Sequence, residues 1–276
     1  MISIKLREKN EFRFQRAVKK HDSVSYTGNR HYHDLFEIYY LENGTCNYFI
    51  DDKSYELLPG DLAIIPAGVI HNTRYQNTCY TRLLLNFSAK YIPALVLPEL
   101  KKIGVLYRNP AIADAVKEIL RQIESEFNGK DVFSDEAIRS YMNLLFFLLI
   151  RNSNCYDDRR TRKEYVEKAI QFLQANYADS DLSLASVAKN FSVSSEHFSR
   201  EFKKETGFGF CEYLNLLRIK KSEMLIREGN GESIMEISQR CGFNDSNYFS
   251  VKFKKTYGIS PKQMQKSVSA VRESER

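Results

Sequence analysis

The sequence lacks closely spaced cysteine pairs and any long apolar run, and each absence excludes a class of protein. None of its five cysteines lies at CxxC spacing to another, so neither a disulfide framework nor a zinc site is indicated. The longest apolar run, residues 144–150, is far shorter than the roughly 20 residues that span a bilayer. The first residues lack the apolar stretch of a signal peptide. We therefore expect a soluble, cytoplasmic protein with reduced thiols and no membrane partner.

The overall charge is nearly balanced, and it identifies no binding partner by itself. The formal net charge is +6, and basic residues are spread over both halves of the 276-residue chain. Hydrophobic residues make up 43% and charged residues 28%, which is ordinary for a globular protein with one or two cores. A surface that binds a polyanion must therefore be located from local patterns of basic residues.

Residues from about 21 to 90 have the pattern of β structure. Short runs rich in β-branched and aromatic residues alternate with turn signals that contain glycine, proline or aspartate. Many short strands joined by tight turns are typical of a sandwich or a small barrel. The predicted strands are residues 36–41, 46–50, 62–65 and 82–87.

The pattern changes to helix after Pro98. Pro110 suits a first helical turn, and apolar residues recur at helical spacing up to residue 127. A second helix is predicted over residues 134–150, and its second half is apolar on nearly all sides. Packing in its own domain covers one face, and either that domain or a second subunit covers the rest. The polar residues 152–162 are the best predicted linker, and helices are predicted after them.

One pattern occurs twice in the C-terminal part of the chain: a short capped helix, a turn, and a basic helix anchored by aromatic residues. The copies are residues 183–207 and 233–258, and a predicted helix, residues 210–228, lies between them. Two helix-turn-helix units offer two helices to the major groove of DNA. The connecting helix would be roughly 28 Å long, close to the roughly 34 Å between successive major grooves on one face of the duplex. The repeat therefore predicts a sequence-specific DNA-binding protein whose two units bind adjacent grooves.

The second helix of each copy is expected to have a buried face and an outward face. Phe198 and Phe202 lie four residues apart in the first copy, so they should anchor their helix in the core. Phe249 and Phe253 match them in the second copy. The side chains expected on the outward faces are Glu196, Ser199, Arg200, Ser246, Asn247, Ser250 and Val251.

Arg200 is the strongest candidate for a base contact, because arginine can bond guanine through two donors in the major groove. Glu196 could accept from a cytosine amine or simply balance charge. Ser194 and Asp245 are predicted helix caps, beside amide groups that would also suit a phosphate. Each basic side chain is either a phosphate ligand or an ordinary solvated charge. The predicted phosphate contacts are Ser194, Lys203, Lys204, Asp245, Lys252, Lys254 and Lys255.

Residues 184–225 and 234–261 carry two extended motifs. Their defining residues are Ala188, Ser194, Phe202, Lys203, Lys204, Glu205, Thr206, Gly207, Tyr213, Arg218, Ile234, Glu236, Gly242, Phe243, Tyr248, Phe253, Gly258 and Pro261. Through them residues 163–268 resemble the DNA-binding domain of the AraC family of bacterial transcription regulators. The resemblance implies that the outward-facing side chains given above read bases. Val251 stands where relatives often carry a basic residue, so apolar contact with thymine methyl groups is expected there. Ser222 replaces the usual alanine, a small-for-small change.

The β region carries a second constellation, His31, His33, Glu37 and His71. With the glycines and proline around it, the spacing is similar to both motifs of the cupin barrel. That resemblance implies a site where three imidazoles and one carboxylate hold iron or manganese. In AraC-type regulators the same barrel senses ligands. The resemblance to them implies that the histidines of this chain bond strand backbones or the effector, and that Glu37 pairs with a cation such as Arg74. We expect no cofactor, with a barrel metal ion as the alternative.

We interpret the chain as an α+β two-domain transcription regulator and not as an enzyme. It resembles an N-terminal cupin-like β-barrel sensor followed by a helical dimerisation segment and a C-terminal all-α domain with two helix-turn-helix motifs. The predicted boundaries are 1–105 for the sensor, 106–151 for the dimerisation segment, 152–162 for the linker, 163–270 for the DNA-binding domain and 271–276 for a tail.

The expected partners are double-stranded DNA, a small-molecule effector, a second copy of the chain and, if transcription is activated, RNA polymerase. Effector binding should change how paired domains occupy DNA half-sites. One alternative is a cupin metalloenzyme with a DNA-binding tail, and another is an effector-independent regulator whose barrel only dimerises. The effector, a sugar or related metabolite, is expected at the barrel mouth on His33, Tyr39, Tyr48 and Arg74.

Overall fold

The computed structural model describes residues 11–19, 33–75, 79–98, 100, 106–129, 131–152 and 164–274, with side chains as far as residue 270. The chain divides into two compact units, with the boundary between residues 161 and 162. His31 of the predicted metal set and the predicted linker from residue 153 onward lie outside the described residues.

Eight strands occur in the described part of the N-terminal unit. They are β1 (Phe12–Lys19), β2 (Phe36–Asn43), β3 (Cys46–Ile50), β4 (Lys53–Leu57), β5 (Leu62–Ile65), β6 (His71–Tyr75), β7 (Tyr80–Phe87) and β8 (Leu106–Tyr107). One sheet has the strand order β1-β7-β2-β5-β8 and the other β4-β3-β6, with antiparallel pairing. The four predicted strands are confirmed as β2, β3, β5 and β7. The predicted β region began too late, because β1 precedes it.

Alternation along the strands separates two layers of core. Tyr39 and Leu41 of β2 point between the two sheets, where they pack with side chains of β3, β4 and β6. Ile38 and Tyr40 point to the other face of the five-stranded sheet. All four side chains are buried, so β2 contributes to both layers and holds the centre of the unit.

Two helices, α1 (Ala113–Gly129) and α2 (Ser134–Arg151), pack against each other and cover the outer face of the larger sheet. Their prediction is confirmed. The predicted helical segment, however, began at residue 106, and the first two residues of that segment form β8 instead. Leu106 and Tyr107 pair with β5, and each fills a different layer of the core, which favours an extended backbone there.

The second half of α2 is only partly covered within its own unit. Leu144 remains 53% exposed and Phe147 38% exposed. Pairing with a second subunit through this face stays a prediction. None of the described helices combines the length and the apolar character needed to cross a bilayer.

The described part of the C-terminal unit is helical. Its helices are α3 (Glu164–Asn176), α4 (Leu184–Asn190), α5 (Ser195–Thr206), α6 (Phe210–Glu228), α7 (Ile234–Arg240), α8 (Ser246–Tyr257) and α9 (Pro261–Ser274). The predicted helix-turn-helix pairs are confirmed as α4 with α5 and α7 with α8. The connecting helix α6 packs against α5, α7, α8 and α9.

Arg218 of α6 links the segment between α3 and α4 to the second helix-turn-helix motif. Its Nε donates to the carbonyl oxygen of Tyr177 at 2.8 Å, and its Nη2 donates to that of Asp179 at 2.6 Å. The guanidinium carbon lies 5.8 Å from the ring centroid of Phe243, which follows α7. Gly242 has a φ of +81°, and a Cβ there would lie 2.6 Å from the Tyr177 oxygen. The second motif is therefore fixed against α6 and against the segment between α3 and α4.

Candidate functional site

The second helix of the first motif, α5, turns aromatic side chains to the core and polar ones to solvent. The Ser194 hydroxyl caps the helix by accepting from the amide of His197 at 3.2 Å. Phe198 and Phe202 are fully buried, which confirms the predicted anchors. The outward face carries exposed Glu196, Arg200 and Lys203 and half-buried Ser199. This face can enter a DNA groove without any rearrangement of the core.

The Arg200 side chain is 70% exposed and makes only weak contacts with its own helix. Its Nη2 donates to Nδ1 of His197 at 3.1 Å, and its Nε lies 3.7 Å from a carboxylate oxygen of Glu201. Exposed contacts of this kind contribute little free energy. The guanidinium can therefore exchange them for the edge of a base.

The second helix of the second motif, α8, repeats this arrangement. The Asp245 carboxylate caps it by accepting from the amides of Asn247 at 2.7 Å and Tyr248 at 3.2 Å. Phe249 and Phe253 are fully buried, as predicted. The outward face carries exposed Ser246, Asn247 and Val251 and half-buried Ser250. The two outward faces thus differ in charge, because α5 offers an arginine where α8 offers an apolar valine.

Tyr248 on α8 is a surface residue that was not among the predicted DNA contacts. It is 44% exposed, and its hydroxyl accepts from Nδ2 of Asn215 at 3.1 Å. The ammonium group of Lys252 lies 5.0 Å from its ring centroid. Its position three residues after the predicted cap Asp245 was the sequence signal that could have placed it on the surface of this helix.

The predicted phosphate contacts fall into two groups. The side-chain oxygens of Ser194 and Asp245 are engaged in capping their own helices, and Asp245 adds a negative charge that opposes a phosphate. Lys252 is half-buried over Tyr248. Phosphate contact by these residues stays a prediction. The exposed lysines, in the last turns of α5 and α8, are Lys203, Lys204, Lys254 and Lys255.

Between the two sheets of the N-terminal unit, Glu37 of β2 is buried among polar side chains. Tyr48 donates to its Oε1 at 2.5 Å, and Nδ2 of Asn86 donates to its Oε2 at 2.9 Å. The same Oε2 lies 3.0 Å from Nε2 of His33 and 3.7 Å from Nε2 of His71. The structure brings three residues of the predicted metal set together, with Tyr48 and Asn86 as further members.

Electrostatics shift the pKa values of Glu37, His33 and Tyr48 in this cluster. Burial by itself raises the pKa of Glu37, but the charges of His71 and His33 and the hydrogen bond of His33 outweigh it and hold that pKa well below 4.5. Burial by itself lowers the pKa of His33, but its hydrogen bond to Glu37 and the negative charge there raise it above 6.5. Burial and the Glu37 charge raise the pKa of Tyr48. Tyr48 is therefore a neutral phenol that donates to a carboxylate.

Backbone carbonyl groups orient both imidazoles. Nδ1 of His33 lies 2.7 Å from the oxygen of Leu35, and Nδ1 of His71 lies 2.8 Å from that of Val69. A carbonyl oxygen only accepts, so each Nδ1 carries a proton and each Nε2 is turned toward Glu37. Ligand atoms of the three side chains lie within 4.8 Å of one another. Such a set can act as an ion-pair cluster, or it can hold a divalent cation on two imidazoles and one carboxylate.

Two of the predicted effector contacts, Tyr39 and Tyr48, are buried between the sheets. The hydroxyl of Tyr39 lies 2.9 Å from that of Tyr75 on β6, and Tyr75 stacks on Tyr80 with centroids 3.6 Å apart. Burial, the largest cause, raises the pKa of Tyr39 and that of Tyr75. The packed interior between the sheets therefore contains a row of neutral hydroxyl groups.

The prediction that Arg74 lies inside the barrel was wrong. Alternation along β6 turns Tyr75 inward, so Arg74 points to the opposite face and is exposed. The inward cation is Arg82 of β7, whose guanidinium carbon lies 5.8 Å from the ring centroid of Tyr39. Arg82 was missed because it stood in a predicted strand of unknown orientation.

Two family models match the chain. The AraC-like ligand binding domain matches residues 17–142, and a helix-turn-helix domain matches residues 187–267. The HTH-type transcriptional activator RhaS of Shigella sonnei is 26% identical over 242 residues, which cover 85% of this chain and 86% of the relative. The RhaS of Escherichia coli has the same identity and coverage.

Solved structures resemble one or both units. The C-terminal domain of AraT, a response regulator from Geobacillus stearothermophilus, is 36% identical, covers 38% of this chain and 86% of that chain, and has a TM-score of 0.37. ToxT from Vibrio cholerae is 16% identical, covers 93% of this chain and 98% of that chain, and has a TM-score of 0.38. Together, the two family matches and the geometry of both units assign the protein: the chain belongs to the AraC family of transcription regulators, with an AraC-like ligand-binding domain ahead of a helical DNA-binding domain.

Proposed function

We propose that this regulator reads two adjacent segments of one DNA site through α5 and α8, under the control of a small effector held between its two sheets. The proposal depends on one observation. Each of these helices is capped, anchored by a buried pair of phenylalanines, and largely polar on its outward face, where α8 also carries Val251. Activation of transcription, with RNA polymerase as partner, is supported by the name that the RhaS relatives carry.

We propose a hydroxylated metabolite, a sugar or a relative of one, as the effector. Tyr39, Tyr48 and His33 offer hydroxyl and imidazole groups on aromatic walls, which suits a ligand with several hydroxyl groups. Binding of the effector shifts the chain between two arrangements that occupy DNA half-sites differently. A homodimer is supported by the exposed Leu144 and Phe147 on α2, which a second copy would cover.

Selection of operators from random duplex DNA tests the proposal directly. The full-length chain is used, with and without a panel of sugars, and the bound DNA is sequenced after several rounds. We expect a motif with two conserved blocks one helical turn apart, or about 10–10.5 base pairs. Recovery of unenriched DNA under every condition would contradict the proposed function. A motif that forms without any effect of the panel would favour the effector-independent regulator.

Arg200→Ala should weaken binding to the selected operator by about 1–3 kcal/mol and relax discrimination at one base pair, because a bidentate base contact is lost. The matched control is Lys203→Ala on the same exposed face. It should weaken the binding of all duplexes to a similar degree. The salt dependence of the affinity should then indicate about one fewer counter-ion released on binding. Gel-shift titrations at several salt concentrations measure both effects. Unchanged affinity and sequence preference for Arg200→Ala would remove this arginine from the reading surface.

A divalent metal ion in the N-terminal unit is a second candidate, and the orientation of the two imidazoles favours it. His33 and His71 each use Nδ1 on a backbone carbonyl and turn Nε2 toward Glu37, as metal-binding histidines do. Two nitrogens and a carboxylate with open positions suit iron or manganese. A bound ion would supply a Lewis acid to an oxygen-containing ligand. This arrangement is the basis of the metalloenzyme alternative.

Metal binding by His33, Glu37 and His71 predicts that chelator-treated protein takes up a single iron or manganese ion per chain. Calorimetric titration and elemental analysis of the full-length protein measure this uptake. His33→Ala should abolish it, because one of the three ligands is lost. His197→Ala, which removes an imidazole of the C-terminal unit, is the matched control and should leave it unchanged. Equal uptake by both variants, or none by the unmodified chain, would leave the cluster as an ion pair.

A further inference from the structure

Arg82 is a half-buried cation with no carboxylate partner among the described residues. Its guanidinium lies over the ring of Tyr39, and its Nε is fully buried without a hydrogen-bond partner in the described part of the chain. A charged group that loses hydration without gaining a counter-ion carries an energetic cost. The fold therefore keeps a positive charge between its sheets that its own described side chains do not neutralise.

Among the described residues, the surroundings of Arg82 offer hydroxyl groups and no free carboxylate. Tyr39 and Tyr75 place their hydroxyls 2.9 Å apart beside it. In the described strands, Glu37 is the single carboxylate that points between the sheets, and its neighbours already engage both of its oxygens. Burial by itself lowers the pKa of Arg82, but Tyr75, Tyr39 and Glu37 raise it. The guanidinium is therefore charged.

We infer that the effector carries an acidic group, a carboxylate or a phosphate, which binds the guanidinium of Arg82 and accepts from whichever of the Tyr39 and Tyr75 hydroxyls does not donate to the other. The inference rests on the proposed function, because it names the class of ligand for the same sensor. A guanidinium presents its donors in a planar fork that matches the oxygens of either group. A neutral sugar leaves the charge of Arg82 uncompensated. Sugar acids and sugar phosphates are therefore the matching ligands.

Ligands that differ only in charge test this inference on the full-length chain. The probes are glucose, gluconate and glucose phosphate, with acetate and inorganic phosphate as minimal anions, all at one ionic strength. Thermal unfolding of the N-terminal unit should shift upward with acidic probes and stay unchanged with glucose. A larger shift with gluconate and acetate identifies a carboxylate site, and a larger shift with the two phosphates identifies a phosphate site.

Variants of Arg82 separate recognition from a merely structural role. Arg82→Met keeps the apolar stem without the charge, so it should weaken the binding of the acidic probe about 10- to 100-fold. It should also raise the Tm of the ligand-free protein, because an uncompensated charge is removed. Arg82→Lys should keep part of the response, since the charge remains. Arg74→Met, an arginine on the outward face of β6, is the matched control and should respond like the unmodified chain.

Three results would overturn the inference: equal shifts with glucose and gluconate, an unaltered response of Arg82→Met, or no acid-dependent shift in the unmodified chain. Operator selection is an independent measurement. A chain that selects a two-block DNA motif but ignores the charge of its ligands loses this inference and keeps the proposed function. A chain that responds to acids but enriches no DNA loses the proposed function and keeps this inference.

Discussion

Replacement of Phe202 by alanine should lower the free energy of unfolding of the C-terminal unit by about 3–5 kcal/mol. Phe202 is fully buried, and its ring centroid lies 5.6 Å from those of Phe198 and Tyr213 and 6.1 Å from that of Phe210. Truncation leaves a cavity that can close only if α5 moves relative to α6. Because α5 also carries Arg200, affinity for the operator should fall in the same variant.

Urea unfolding followed by circular dichroism measures this loss, since the sequence contains no tryptophan for fluorescence. Phe253→Ala removes the equivalent anchor of α8, whose ring lies 5.6 Å from Phe249 and 4.6 Å from Tyr257, and should cost a similar amount. The control is Val251→Ala, because Val251 is 66% exposed and its truncation should change the free energy by less than about 0.5 kcal/mol. Equal stabilities for Phe202→Ala and Val251→Ala would contradict the assignment of Phe202 as an anchor.

The C-terminal unit could be predicted closely because its signals are local. The cap at Ser194, the buried pair Phe198 and Phe202, and the left-handed Gly207 with a φ of +75° all lie within α5 or next to it. Helix α6 has the bounds that the sequence predicts, residues 210–228. Helical periodicity and capping depend on neighbours a few residues apart, so one sequence is enough to locate them.

The N-terminal unit could be predicted only in part, because strand orientation depends on distant partners. β6 begins with His71 and ends with Tyr75 and lacks an apolar alternation, yet these two inward residues lie beside Glu37 and Tyr39. A shift of one residue exchanges the faces of a strand. For this reason Arg74 was placed inside, while Arg82 holds that position. The pairing of Glu37 with Asn86 follows from the register of β2 and β7, which sequence spacing does not reveal.

Glu37→Ala should destabilise the N-terminal unit by about 3–5 kcal/mol, because it removes one charge from a buried pair and leaves its partners without an acceptor. Tyr48 and Asn86 donate to Glu37, and His33 is paired with it. Glu56→Ala is the control: this side chain of β4 is half-buried, and its neighbours along the strand, not Glu56 itself, point between the sheets. Thermal and urea unfolding of chelator-treated protein compare the variants. A loss no larger than that of Glu56→Ala would show that the cluster does not stabilise the unit.

The ion pair of Glu37 and His33 predicts how the stability of the N-terminal unit depends on pH. The lowered pKa of Glu37 contributes stability above the ordinary value of 4.5, and that contribution is lost as pH falls through the folded value. The raised pKa of His33 contributes stability below the ordinary value of 6.5, and that contribution is lost as pH rises through the folded value. Both contributions are present between 4.5 and 6.5, so chelator-treated protein should be most stable there. Glu37→Gln keeps the shape but not the charge, and urea midpoints across this range should then lose the maximum, because neither group gains from the pair. An unchanged pH profile in Glu37→Gln would mean that other groups set the optimum.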